Sequence, residues 1–159
     1  MASHNARKAA VEIVGAKFLR RDMLKIKIAE DEDFEKIFSL DKHIAETELK
    51  NSIALSRIYL AEIDEDFAGI LRYNLFWDNT PFLNLLYIKE SRRHCGCGSA
   101  LLSFWESQML KFNYDCVMTS TLSTETAQEF YKKRGYKNIG GFYYLDEPYE
   151  IIFQKILKP

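Results

Sequence analysis

A short segment over residues 93–98 combines the residue types that bind phosphate. Arg93 supplies a permanent cation, and Gly96 and Gly98 follow it in the order Arg-His-Cys-Gly-Cys-Gly. Glycine has no side chain, so a ligand can approach the backbone N–H groups of such a turn. An apolar run precedes the segment and a run with helical spacing follows it, and the start of a helix favours an anion. The pattern therefore predicts a phosphate-binding turn, with a purely structural turn as the alternative.

A second residue whose side chain could take part in a reaction lies further along the chain. Tyr131 shares one face of a helix-patterned run with Ala127 and Phe130. A phenol can donate and accept hydrogen bonds. The same spacing is typical of an aromatic residue packed in a core, and the residues alone leave both interpretations open.

Hydrophobic periodicity predicts the elements that would hold these residues. Over residues 24–157 the order is β-α-α-β-β-β-α-β-α-β-β. Ile58–Ile63 and Phe67–Trp77 are β-rich runs that we expect to be joined by a tight hairpin. The helix after the glycine turn is expected to bury four side chains, namely Leu101, Leu102, Trp105 and Met109.

The helix that carries Tyr131 has candidate signals at both ends. Ser123 or Thr124 is of a type that caps a helix N-terminus, and Gly135 is of the type that ends one. We therefore predict a short helix between these positions.

Composition excludes several classes of protein. The chain has 159 residues, a formal net charge of −1 and 47% hydrophobic residues, which suits one globular domain with a substantial core. The near-neutral charge argues against a protein held on nucleic acid by phosphate contacts. No apolar run reaches the ~20 residues of a membrane helix. The three cysteines are too few for a disulfide framework, and the Cys-x-Cys pair lacks further zinc ligands. We expect a cytoplasmic protein without a metal, nucleic-acid or membrane partner.

Two blocks of sequence frame the residues singled out above. The first runs from Leu86 to Leu102 and contains the glycine turn, while the second runs from Thr124 to Tyr136. Together they resemble the GNAT superfamily of acetyl-CoA-dependent N-acetyltransferases, over residues 24–157. The resemblance implies an α/β fold, an α+β arrangement with a mixed seven-stranded sheet and about four helices. The stretch Trp77–Phe82 is similar to that of small bacterial members.

Residues 1–22 differ in charge from the rest of the chain. They carry five basic and two acidic residues, or +3, against 17 basic and 21 acidic residues, or −4, in the remainder. We interpret residues 1–22 as an expression leader or a genuine extension, and residues 23–159 as the N-acetyltransferase domain.

The resemblance implies where acetyl-CoA, the cosubstrate, would bind. One strand edge would contact pantetheine, the glycine turn would cradle the pyrophosphate, and the second block would complete the site. The residues so assigned are Leu86, Tyr87, Ile88, Arg93, His94, Cys95, Gly96, Cys97, Gly98, Ser99, Thr124, Ala127, Phe130 and Tyr131. The chain departs from the family at Thr124, where asparagine is common, and at Cys95, where a cation is common.

The implied reaction is direct attack of a primary amine on acetyl-CoA in a ternary complex. Tyr131 would protonate or stabilise the departing thiolate. An ammonium with a pKa of about 10.4 must lose its proton first, and Asp78 is the leading candidate base, with His43 and Tyr73 as weaker candidates. Asp78 is equally well explained as a turn residue ahead of Pro81.

Three other interpretations share some of these features. A non-catalytic module that binds or senses acyl-CoA would use the same cradle but would not need Tyr131. A dinucleotide-binding unit needs Gly-x-Gly-x-x-Gly after the first strand, and here the turn comes late with two glycines. A catalytic pair of His94 and Cys95 lacks a third member and adjacent side chains rarely meet productively.

The acceptor and the assembly follow less directly. We expect the acceptor to be an amine on a small molecule or peptide, held against aromatic rings. The candidate rings are Tyr73, Phe76, Trp77, Phe142, Tyr143, Tyr144 and Tyr149, of which about half are expected in the core. We also predict a two-fold homodimer through Tyr143, Tyr144 and residues 151–153, because an open apolar sheet edge needs a cover.

Overall fold

The computed structural model describes residues 24–158, so the interpretation of residues 1–22 lies outside the described range. The strands are β1 (Leu24–Ile28), β2 (Ile58–Ile63), β3 (Asp66–Phe76), β4 (Thr80–Ile88), β5 (Cys116–Leu122), β6 (Lys137–Phe142) and β7 (Glu150–Ile156). The helices are α1 (Phe34–Leu40), α2 (Glu46–Ala54), α3 (Cys97–Lys111) and α4 (Ala127–Lys132). This order of strands and helices confirms the one that periodicity predicts.

All seven strands belong to one sheet, in the order β1-β2-β3-β4-β5-β7-β6. β4 and β5 are parallel and pair through Phe82 with Met118 and Leu83 with Thr119, whereas β1–β2, β2–β3, β5–β7 and β6–β7 are antiparallel. Parallel neighbours need a crossover connection, and α3 is that connection. The predicted mixed sheet is therefore confirmed.

The described chain divides into two compact units. The first contains residues 24–73 and Leu85–Trp105, and the second contains Asn74–Asn84 and residues 106–158. The glycine turn belongs to the first unit and Tyr131 to the second.

The first unit packs helices against both faces of its strands. Side chains alternate along a strand, and the even-numbered apolar residues of β2 and β3 form a core with α1 and α2, which includes Ile37, Leu49, Ile53, Ile58, Leu60 and Ile70. On the opposite face Tyr59 meets Phe104 edge to face at 5.1 Å, and Tyr73 lies 5.7 Å from Trp105. Leu101 and Leu102 are buried on the same helix, which confirms the predicted inner face of α3.

Two hairpin turns join β2 to β3 and β3 to β4 without glycine. Asp64 and Glu65 have φ of 54° and 68°, and Trp77 and Asp78 have φ of 51° and 61°. Two consecutive residues with positive φ are characteristic of the type I′ turn, whose twist matches that of the strands it joins. The predicted tight hairpin after Ile63 is confirmed.

The prediction for α4 is wrong at its N-terminal end and confirmed at its C-terminal end. Its first residue is Ala127 and its N-cap position is Thr126, without a side-chain cap bond, so the expectation that Ser123 or Thr124 caps the helix is wrong. The carbonyl of Ser123 instead accepts a bond from Gln128 at 2.8 Å. The other end follows the prediction, because Gly135 has φ of 86° just after the helix.

The bonds at the end of α4 form a Schellman motif. The N–H of Gly135 donates to the carbonyl of Lys132 at 3.1 Å, and the N–H of Tyr136 donates to that of Tyr131 at 3.2 Å. The rings of Tyr131 and Tyr136 lie 5.4 Å apart, which supplies the apolar contact that usually accompanies the motif. The position of Tyr131 is therefore fixed by the way its helix ends.

Candidate active site

The glycine turn forms the N-terminal end of α3 in the first unit. β4 ends at Ile88, a single 3-10 turn follows, and α3 begins at Cys97. Gly96 has φ of 86°, a conformation that glycine adopts without the clash a Cβ would cause, and its carbonyl accepts the first helical bond from Ala100 at 3.0 Å. The early N–H groups of a helix point out of this end with a partial positive charge. The arrangement is suited to an anion.

Arg93 lies beside this helix end on the surface. Its Nε donates a hydrogen bond of 3.1 Å to the carbonyl of Ile88, which holds the guanidinium next to the last residue of β4. A guanidinium has five N–H donors, so the bond to Ile88 leaves the rest of the fork for a phosphate. Arg93 therefore stays a candidate for binding phosphate.

The two cysteines of the turn are not arranged as nucleophiles. The Sγ of Cys95 donates to the carbonyl of Arg92 at 2.7 Å, rather than to the exposed His94 beside it. Cys97 is buried, and desolvation, with a smaller contribution from Cys95, raises the pKa of its thiol to about 11. A thiol that stays protonated is a poor nucleophile, which applies to Cys97. For Cys95, the bond of its Sγ to the Arg92 carbonyl gives no support to a catalytic pair of His94 and Cys95.

The end of β4 lies very close to the backbone of β3 at Gly69. Leu86, Tyr87 and Ile88 are half-buried, and the N–H of Lys89 donates to the carbonyl of Ala68 at 2.9 Å. A Cβ on Gly69 would lie 2.6 Å from Cδ1 of Ile88 and 2.8 Å from the carbonyl oxygen of Tyr87. Gly69 is therefore needed to position this strand end, a role that a lone glycine in a strand does not reveal in sequence.

Tyr131 lies in the second unit and is only 6% exposed. Its ring stacks on Phe153 at 6.5 Å, and its hydroxyl is hydrogen-bonded with the side chain of Thr119. Burial is the largest effect on the phenol and raises its pKa to about 12, while Thr119 opposes the shift. The phenol is therefore neutral over the physiological range and able to donate a hydrogen bond.

The other assigned residues of the second block differ in exposure. Ala127 and Phe130 are half-buried, whereas Thr124 is exposed. The guanidinium of Arg134 lies 3.6 Å from the centre of the Phe130 ring and donates to the Phe130 carbonyl at 2.8 Å. This contact fixes the ring at the end of α4.

The three candidate bases lie in different surroundings. Asp78 is exposed in the β3–β4 hairpin turn, a position that its alternative interpretation as a turn residue fully explains. His43 is also exposed, and its backbone N–H donates to Oδ1 of Asp41 at 3.2 Å. Tyr73 is only 4% exposed, and its ring lies between those of Tyr59 and Trp105. Tyr73 is therefore placed as a core residue.

The family model described as an acetyltransferase (GNAT) domain matches residues 54–138, more than half of the chain. The chain belongs to the GNAT acetyltransferase family. It is accordingly an acetyl-CoA-dependent acyltransferase, and the expectation from the two sequence blocks is confirmed at this level.

Solved structures agree with the family assignment. The crystal structure of a GNAT acetyltransferase from Bacillus cereus ATCC 10987 has a TM-score of 0.68 and 27% identity, covering 86% of this chain and 99% of that chain. Ard1 from Thermoplasma volcanium has a TM-score of 0.72 and 19% identity, covering 84% and 97%. The ribosomal-protein-S18-alanine N-acetyltransferase from Escherichia coli has a TM-score of 0.70 and 15% identity, covering 86% and 96%. At these identities the last two show the fold alone. No curated protein sequence matches the chain significantly.

The aromatic residues expected near the acceptor of this GNAT domain divide into two groups. Tyr73 belongs to the core, as the alternative interpretation held. Trp77, Phe142, Tyr143 and Tyr144 are exposed, and Phe76 and Tyr149 are half-buried. Phe76 contacts Trp77 at 4.7 Å, and Tyr143 contacts Tyr149 at 5.1 Å.

Two polar groups, one buried and one partly buried, could not be predicted from the sequence. In the first unit Nε of Arg72 donates to Oδ2 of Asp41 at 2.8 Å, with both side chains almost fully buried. In the second unit Glu106 accepts from the hydroxyl of Tyr136 at 2.9 Å and pairs with Lys155 at 2.6 Å. Their members are separated by about 30 or more residues, and sequence carries no local signal for such a partner.

Between residues 24 and 158 no group of three or more His, Cys, Asp or Glu is placed to hold a metal ion. Within the same part of the chain, no helix combines the length and apolar character of a membrane span.

Proposed function

We propose that this GNAT domain transfers the acetyl group of acetyl-CoA to a primary amine by direct attack in a ternary complex. The observation that carries the proposal is the end of β4 followed by a glycine turn that opens the fifteen-residue helix α3. The backbone N–H groups at the helix start, with Arg93, would bind the pyrophosphate. The edge formed by Leu86–Ile88 would meet the pantetheine arm.

In the proposed reaction the amine nitrogen attacks the thioester carbonyl. A C–N bond forms, the C–S bond breaks, and the sulfur keeps the bonding electrons. The proton lost by the amine finally resides on the sulfur, so the products are an acetamide and free CoA. Tyr131 would hold the departing sulfur through its phenol, and Asp78 remains our proposed base, with water carrying the proton if Asp78 does not.

Gly98→Glu tests the phosphate cradle. The new carboxylate would stand in the first turn of α3 and repel the pyrophosphate, so we expect acetyl-CoA no longer to raise the melting temperature. The matched control is Ser103→Glu, which places the same side chain on an exposed position of the same helix and should keep the shift. A folded Gly98→Glu protein that binds acetyl-CoA normally would refute the cradle.

A non-catalytic acyl-CoA sensor is the alternative. It would bind acetyl-CoA but release no CoA with any amine. The deciding assay is CoA release across a panel of small amines, amino acids and peptides with free N-termini. Peptides belong in the panel because a fold neighbour is an S18-alanine N-acetyltransferase.

A further inference from the structure

We infer that Thr119, which no motif singles out, positions the hydroxyl of Tyr131. The inference rests on the proposed function of Tyr131. Thr119 lies on β5, Tyr131 on α4, and both belong to the second unit.

The sheet register places Thr119 under the tyrosine ring. Thr119 pairs with Phe153 across β5 and β7, so the two side chains share one face of the sheet. The ring of Tyr131 stacks on that of Phe153 with planes 26° apart. Thr119 is 1% exposed, which leaves water little access to its bond with the phenol.

The direction of this hydrogen bond follows from the partners of Thr119. A threonine hydroxyl has one hydrogen and two acceptor lone pairs. Oγ1 of Thr119 donates its hydrogen to the carbonyl of Leu83 at 3.1 Å, because a carbonyl can only accept. While Thr119 donates to Leu83, the phenol of Tyr131 is the donor in its bond with Thr119. When the phenol O–H turns to another acceptor, the Thr119 hydroxyl can donate to the phenol oxygen instead, and a donor on that oxygen is what lowers the pKa of the phenol.

The result is a fixed chain of bonds from the phenol through Thr119 to the backbone of β4. Leu83 and Thr119 are also partners in the parallel pairing of β4 and β5, so the acceptor of the last bond is held by the sheet. This series of hydrogen bonds holds the hydroxyl group of Tyr131 in one position. During transfer the phenol O–H turns from Thr119 towards the sulfur, and the Thr119 hydroxyl turns from Leu83 to donate to the phenol oxygen, so the bond between Thr119 and Tyr131 is kept in the transition state.

Thr119→Val removes the hydroxyl and keeps the shape. We expect kcat to fall about threefold to tenfold, the effect of one hydrogen bond, with the KM for acetyl-CoA unchanged. Thr119→Ser keeps the hydroxyl and should restore most of kcat. The matched control is Thr121→Val, two residues along β5, whose buried hydroxyl lacks a partner among the described residues. It should alter kcat by less than about twofold.

A double-mutant cycle makes the inference specific. In the Tyr131→Phe background, Thr119→Val should have little further effect on kcat, because its partner is already absent. The same cycle is measured with unfolding midpoints. Thr119→Val should lower the midpoint less in the Tyr131→Phe background than in the wild type. That second readout needs no activity, so loss of the coupling refutes the Thr119 contact, whereas absence of CoA release by the wild type refutes only the proposed function.

Three results would overturn the inference. One is an equal loss of kcat in both backgrounds, which would place the effect of Thr119 elsewhere. Another is failure of serine to restore activity, which would assign the effect to packing. The last is an equal loss in Thr121→Val, which would show a general response of β5.

Discussion

Replacing Tyr131 by phenylalanine tests the role of the phenol through its pH dependence. Burial raises the pKa of this group to about 12, so only about one molecule in ten thousand carries a phenolate at pH 8. A thiol such as that of cysteine has a pKa of about 8.5. Complete transfer of the phenol proton to such a thiolate is therefore uphill by roughly 5 kcal/mol.

The phenol should then act chiefly by donating a hydrogen bond to the sulfur as negative charge develops there. A hydrogen bond to a charged group contributes about 1.5–3 kcal/mol, which corresponds to a loss of kcat of about 10- to 150-fold in Tyr131→Phe. The KM for acetyl-CoA should change little, because the interaction strengthens only in the transition state.

The assay is CoA release at saturating substrates between pH 7 and pH 10, for both proteins. The ratio of wild-type to Tyr131→Phe kcat should stay constant, since the phenol remains protonated over this whole range. Tyr114→Phe, which removes a phenol from a half-buried loop position, is the matched control. A ratio that declines towards one as pH approaches 10 would show that the phenol ionises normally, and would refute the argument from burial. An unchanged rate when chemistry is limiting would reduce Tyr131 to a packing residue.

Two further outcomes follow from the described residues. Arg72→Met leaves the buried carboxylate of Asp41 without its partner and should lower the free energy of unfolding, measured in urea, by about 3–5 kcal/mol. The control Lys50→Met, which breaks an exposed ion pair, should lower it by less than about 1 kcal/mol. Similar losses for both variants would contradict the burial argument. We also propose the two-fold dimer, with Tyr143 and Tyr144 in the contact, and light scattering that gives a mass near the 18.6 kDa of one chain would exclude it.

The dimer proposal now depends on fewer residues than the sequence suggested. β6 is the last strand in the sheet order, and all six of its residues are exposed. Ile151 and Phe153 of β7 are buried, however, because they point into the core of their own unit. Of residues 151–153, only Ile152, which is half-buried, therefore stays in the proposed contact.

The order of strands and helices was predictable because the apolar residues of each element repeat with the period of a strand or of a helix. The inner face of α3 could be identified in the same way, as the complete burial of Trp105 and Met109 shows. The start of α4 could not, because Ser123, Thr124 and Thr126 are all acceptable cap residues and the choice depends on how the preceding turn folds. Sequence places this boundary only to within a few residues.

The candidate site was predictable only where its residues are neighbours in sequence. The turn from Arg93 to Gly98 forms one local structure, and its geometry follows from its residues. The partner of Tyr131 could not be predicted, since Thr119 reaches it through strand register and helix packing. Arg72 and Asp41 are 31 residues apart and meet for the same reason. Partners of this kind are set by the tertiary fold.

The burial of Cys97 has a consequence for oxidative damage at the start of α3. With a pKa of about 11, roughly one thiol in ten thousand is a thiolate at pH 7, and the thiolate is the form that oxidants and alkylating reagents attack. A sulfinate at this position would set a permanent negative charge against the proposed pyrophosphate site. Because the thiol stays protonated and enclosed, Cys97 should stay reduced at peroxide concentrations that oxidise ordinary surface cysteines.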